Sequence, residues 1–299
     1  MVNALAKDVR RDTCPLRRSF VERPEGSDAL TPLAALLRTS GEVGGKGGGL
    51  RIALLMSLIW VTARPPYVTN RVAPYWAELL GREDPGGVGA RAIRDALHEL
   101  ADRGLVQLRS TGTRLEIILC NESQPETAAG DPNLYVPPYG LEQYIPVPRS
   151  FWTRGLAGEL SGAGIAMYLC SLALTRSDDP EFFIAGAHFE ERYGISRSSR
   201  KRGLAELTER GVLTVRVEET IDFKTFRKVR RNIYRLAKRY RQPEAWTPPA
   251  IEAGAEKTKN ALDPAARLSA ITSPSSGRER EETARLLASS MSSKRRSQK

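Results

Sequence analysis

Ile195-Ser-Arg-Ser-Ser-Arg-Lys-Arg-Gly-Leu-Ala-Glu-Leu-Thr-Glu-Arg-Gly-Val-Leu213 carries the signals of a capped helix running into a strand. Ser196 stands where a helix N-cap belongs, with a hydroxyl able to accept a backbone N–H of the first turn. Leu204 and Leu207 recur at helical spacing and mark an inward face. Gly211 stops the helix. The stretch therefore predicts a helix from Ser196 to about residue 210. A strand over 212–217, a polar turn region over 218–225 and a second strand over 226–236 follow it. Working upstream, the tight turn Gly194-Ile195-Ser196 is preceded by a short helix over 187–193, a break at Asp178-Asp179-Pro180, and an apolar helix over 162–176. A short helix over 148–156 precedes these.

The same order occurs earlier in the chain. Apolar residues over 50–62 predict a helix, which Arg64-Pro65-Pro66-Tyr67 breaks. Trp76, Leu79 and Leu80 share a face of a second helix over 73–80. Ile93, Ala96, Leu97 and Leu100 keep the 3.6-residue period of a third helix over 90–103, stopped by Gly104. Strands over 105–109 and 114–119 flank the turn 110–113. Helix, helix, turn, helix and hairpin is the order of a winged helix. Gly104 and Gly211 are equivalent stops in two unequal copies.

The stretch 195–213 resembles the recognition helices of winged-helix regulators of the GntR-like and MarR-like groups. Val88-Gly-Ala-Arg-Ala-Ile-Arg-Asp-Ala-Leu-His-Glu-Leu-Ala-Asp-Arg-Gly-Leu-Val106 looks like the same element in the first copy. The tandem layout resembles that of plasmid replication initiators. The run from Gly44 to Arg51, with the apolar helix after it, is similar to stretches of actinobacterial proteins, a likeness that implies no activity. One position departs from the pattern. Where the first copy has Ile93, the second has Arg200. A buried unpaired guanidinium is costly, so Arg200 is expected to snorkel outward with its stem over the core, or the helix to be rotated.

The expected fold class is mainly α with small β-hairpins (α+β), as two tandem winged-helix domains with disordered N- and C-terminal arms. The expected partition is a flexible arm over 1–32, winged-helix domain 1 over 33–120, a linker over 121–144, basic winged-helix domain 2 over 145–240 and a disordered tail over 241–299. The glycine-rich run 41–49 is not a phosphate loop. Lys46 is followed by Gly47 rather than Ser or Thr, no strand precedes it, and a flexible loop is expected.

Charge points to a partner. The 299-residue chain has a formal net charge of +11, and a basic protein of this kind usually meets nucleic acid. Residues 190–240 hold 15 Lys and Arg against 7 Asp and Glu, so most of the excess sits in one helix and hairpin. A recognition helix enters the major groove with its N-terminal half nearest the bases. Arg197, Ser198, Lys201 and Arg202 fall there, with Arg200 beside them. Arginine pairs with guanine in a bidentate manner, and serine and lysine serve bases or phosphates. On the wing, Lys224, Arg227, Lys228, Arg230 and Arg231 suit phosphates or a minor groove. Arg91 and Arg94 project from the third helix of the first copy, diluted by Asp95, Glu99 and Asp102.

Other functions find little support. His98 and His188 are the only histidines, without a metal-ligand or nucleophile motif around them; no enzyme activity, cofactor or metal is expected. Cys14, Cys120 and Cys170 are odd in number and far apart, which suits a reducing compartment. The longest apolar run, 52–63, is too short for the about 20 residues of a membrane span. The expected function is sequence-specific duplex DNA binding in transcription regulation, in a cytoplasmic, nucleoid-associated protein, with a homodimer among the expected assemblies. The alternatives are a plasmid or phage replication initiator, and a scaffold whose winged helices bind protein.

Overall fold

The computed structural model describes residues 4–24, 26–38, 48–112, 114–175, 179–222 and 227–243. The expected loop up to Gly47, Lys224 of the expected wing and the tail from 244 onward lie outside them. Helices and small antiparallel sheets make up the fold.

The chain opens with α1 (Ala4–Asp8), β1 (Thr13–Arg17) and α2 (Arg18–Val21). This is not the flexible arm expected over 1–32. Cys14, Leu16, Phe20 and Val21 are fully buried, and β1 pairs antiparallel with β5 (Tyr144–Pro148), Leu16 opposite Ile145. The intervening arginines hold the segment down. Arg17 donates to the buried Glu122 carboxylate at 2.8 Å and to the Val136 carbonyl at 2.6 Å. Burial pushes the Glu122 carboxyl above its ordinary value, and Arg17 pulls it part of the way back. The expected linker 121–144 is thus anchored as well, with Tyr135 buried beside Glu122 and Cys120 bridged to Leu134.

Next comes α3 (Pro32–Leu37), capped by the Thr31 hydroxyl, which accepts from the Ala34 N–H at 3.1 Å. Its C-terminal carbonyls receive cations. Arg51 donates to Leu36 O at 3.1 Å and to Arg38 O at 3.3 Å while pairing with Glu99, and Arg103 donates to Ala35 O at 3.1 Å. Guanidiniums there satisfy orphan carbonyls and complement the helix dipole.

A first series of elements follows: α4 (Gly48–Val61), β2 (Val68–Thr69), α5 (Ala73–Leu79), α6 (Val88–Asp102), β3 (Val106–Thr111) and β4 (Arg114–Leu119). Its sheet runs β2-β4-β3. After β5 come two short helices, α7 (Ser150–Thr153) and α8 (Leu156–Glu159), where a single helix was expected. Gly155 between them takes a positive φ of 80°, which interrupts the helical path. The second series is α9 (Gly162–Leu174), β6 (Glu181–Phe183), α10 (Gly186–Tyr193), α11 (Arg197–Glu209), β7 (Leu213–Asp222) and β8 (Arg227–Leu236), with sheet order β6-β8-β7. A 3-10 turn, Lys238–Tyr240, ends the described chain. Both series therefore read helix, short strand, helix, helix, hairpin, with the short strand added beside the last one.

The leading helices meet. α4 and α9 are apolar nearly all round, which fits central helices. At their N-termini Gly49 and Gly162 approach so closely that a Cβ on Gly49 would lie 2.9 Å from the Gly162 nitrogen. At the other end of α4, Trp60 stacks on Trp152 of α7 with centroids 4.1 Å apart. The Trp152 indole donates to Ser57 at 2.8 Å and the Trp60 indole to Arg11 O at 2.9 Å. Residues 33–120 and 145–240 consequently share one continuous apolar core rather than packing as separate bodies. Among the described residues no helix is long and apolar enough to cross a membrane.

Candidate nucleic-acid interface

α11 starts because Gly194, with φ of 68°, ends α10 and turns the chain, and Ile195 is buried to fix the turn. The Ser196 hydroxyl then accepts the Ser199 N–H at 3.3 Å, as its N-cap position requires. Gly203, Leu204 and Leu207 face inward. Arg197, Ser198, Lys201 and Arg202 are exposed on the outer side of the first two turns. Arg197 and Lys201 are four apart, so their side chains neighbour one another on one face.

Arg200 behaves differently from these. It is half-buried, its guanidinium lies 5.3 Å from the Phe189 ring centroid, and its Nη1 donates to Gly186 O at 3.2 Å. The stem covers apolar surface while the head ties α11 to α10, the snorkelling arrangement rather than a rotated helix. Its donors face α10, which separates it from the four exposed residues.

The hairpin beside α11 is registered by residue pairs along ten positions, with Glu219 opposite Arg230 and Glu218 opposite Arg231. Alternation puts Lys228, Arg230 and Asn232 on the face that carries Tyr234 and buried Leu236. Arg230 and Asn232 share a groove of about 460 Å³ with Arg200 and Leu204 of α11. The Arg230–Glu219 pair spans 3.6 Å with both side chains mostly exposed, and pairs of that kind contribute little. Arg231 also lines this groove, with its guanidinium 5.3 Å from the Phe183 centroid. Arg227 pairs through its backbone with Asp222, and its side chain lies outside the described residues.

Protein-family models, curated proteins and solved structures offer no match to this chain.

In the first series Asp84 caps α6, accepting from Gly87 N at 3.1 Å and Val88 N at 2.9 Å. Arg91, Arg94 and His98 are exposed on α6 with Asp95 among them. On the neighbouring hairpin Arg109 is paired with Glu116 at 2.7 Å. The two outer helices are thus alike in place and unlike in charge. Among the described residues no cluster of His, Cys, Asp and Glu is arranged to hold a metal ion, and exposed His188 faces Glu191 at 3.4 Å.

Gly203 carries information that inspection of the sequence for charge passes over. A Cβ there would lie 2.2 Å from the Ala163 carbonyl oxygen and 2.7 Å from Met167. The glycine lets α11 sit directly on α9, which fixes how the basic face is presented. Ala96 holds the matching place in α6, and that difference was the available signal.

Proposed function

We propose that this chain binds duplex DNA sequence-specifically through two winged helices, with α11 as the principal reading helix, and acts as a transcription regulator. The observation that carries the reading is the placing of Arg197, Ser198, Lys201 and Arg202 on the open side of a capped helix, with Arg230 and Lys228 on the adjoining hairpin. A groove-entering helix with a flanking basic ribbon addresses bases and phosphates together. The repeated element order and repeated strand order support the winged-helix assignment for both halves.

The test is selection of bound sequences from random duplex DNA with the full chain, followed by a salt series on the winning site. Enrichment of a defined site, with affinity falling steeply as salt rises, is expected, because each neutralised phosphate releases counterions. Failure to enrich any sequence, or affinity indifferent to salt, overturns the proposal. A second reading, a plasmid or phage replication initiator, draws support from the fusion of two such halves across the α4–α9 seam. Selected sites built as direct repeats would favour it, and a palindrome in the protein's own promoter would favour the regulator.

A further inference from the structure

We infer that a cleft on the first half, containing no residue of α11 or of the β7–β8 hairpin, is a binding site for a phosphate group. It is a concavity of about 530 Å³ where the N-terminal segment lies beside the end of α4 and the start of α5. Arg10 and Arg11 enter it from the N-terminal segment, Arg64 from the turn after α4, and Arg71 from the approach to α5. Asp8 is the only acid among its lining residues.

Several arginines elsewhere in the chain are held by carboxylates. Arg17 meets Glu122, Arg192 meets Glu22 and Arg210 meets Glu159, each within 2.8 Å. In the cleft, neither Arg64 nor Arg71 forms an ion pair with a described residue, and Arg10, Arg64 and Arg71 are all exposed. Exposed cations such as Arg64 and Arg71, with no matching acid among the described residues, focus a positive potential at a concave surface and attract an anion.

Two of the four are already oriented. Arg71 lies 4.2 Å from the centroid of Tyr75, a cation–π contact that restrains its guanidinium. Arg11 donates through Nη1 to Ile59 O at 3.1 Å, and its guanidinium carries further donors. Guanidiniums arriving from three stretches of chain suit a group with oxygens pointing in several directions, which a tetrahedral phosphate has and a planar carboxylate lacks. The volume is in the range of sites for ligands of nucleotide size. A free nucleotide and a nucleic-acid backbone both carry such a phosphate, and the chemistry of the cleft is common to both.

The experiment titrates the full chain with adenosine 5′-monophosphate and, separately, with a short duplex of random sequence. It compares the wild type with an Arg64→Ala/Arg71→Ala variant and an Arg197→Ala/Lys201→Ala variant, with unchanged thermal unfolding as the check on folding. If the ligand is a free nucleotide, the cleft variant weakens mononucleotide binding by about tenfold or more, the loss of a charge-assisted hydrogen bond. The α11 variant then leaves mononucleotide binding unchanged. If the ligand is a backbone, the mononucleotide does not bind, and the cleft variant lowers the salt slope of duplex binding by about two, one for each lost cation. Indifference of both probes to the cleft variant overturns the inference. The α11 variant reports on the DNA-reading proposal separately, so either idea can fail while the other stands.

Discussion

Replacing Gly203 by alanine tests the packing that presents the basic face. The added methyl would stand 2.2 Å from the Ala163 carbonyl oxygen and 2.7 Å from the Ala163 carbonyl carbon. The obstruction is backbone, so rotating a side chain cannot relieve it. α11 and α9 must separate by about 1 Å, or α11 must tilt, in a core that is close-packed. Overpacking of this kind costs ~1–3 kcal/mol, and contact with backbone places it at the upper end. Alanine returns ~1 kcal/mol of helix propensity. The net loss is about 2 kcal/mol, which for a body of this size lowers Tm by roughly 4–8 °C. Thermal unfolding followed by circular dichroism measures it. Gly86→Ala is the control, since that glycine has open space around it and no positive φ. An unchanged or raised Tm for Gly203→Ala would refute the claim that α11 rests directly on α9.

Arg197→Ala should cost on the order of 1–3 kcal/mol on the selected DNA site and relax preference at one base position, as binding to selected and scrambled duplexes will report. Equal losses on both would mean that Arg197 touches phosphate. Arg230→Ala should instead weaken all sequences alike and lower the salt slope by about one. Glu122→Gln addresses pH. Because burial raises the folded-state carboxyl, the native state holds its proton more tightly than the unfolded chain. The wild type therefore loses stability relative to the glutamine variant as pH rises above the ordinary value of 4.5. Urea midpoints of the two proteins across the carboxylate range should diverge in that direction, and parallel curves would contradict it. Arg149→Met removes a guanidinium that donates to Ala6 O, Lys7 O and Val9 O. Limited proteolysis should then cut near α1 before anywhere else in the described chain, whereas an unchanged cleavage order would show that the segment is held by its apolar residues alone.

The elements that announce themselves locally were legible in the sequence. α6 has its apolar face at helical spacing, β4 spans the residues its pattern indicates, and the Ser196 cap is where a hydroxyl before a helix would stand. The strands β2 and β6 were not legible. With two and three residues they carry too little pattern, and they exist because β4 and β8 offer edges to pair with. The N-terminal segment was misread for a related reason. Its apolar residues are interrupted by arginines whose partners stand far along the chain, Arg17 with Glu122 and Arg18 with the carbonyl of Ala173. Composition therefore reads as a solvated arm what long-range pairing makes a buried one. Of the proposed interface, residue types and spacing picked out the exposed set on α11. The separate path of Arg200 depended on Phe189 and Gly186, which belong to another helix.

The seam between α4 and α9 joins two similar halves that are encoded once each. In an assembly of two identical chains, any change to one half appears in the other, and dilution separates them. Here the halves come in a fixed ratio at every concentration, and each is free to change alone. The outer helices show the result. α6 mixes Arg91 and Arg94 with Asp95 and Asp102, while the first two turns of α11 carry Arg197, Lys201 and Arg202 without an acid. Repetition of element order without repetition of charge makes the two halves inequivalent, one outer helix strongly basic over its first two turns and the other mixed.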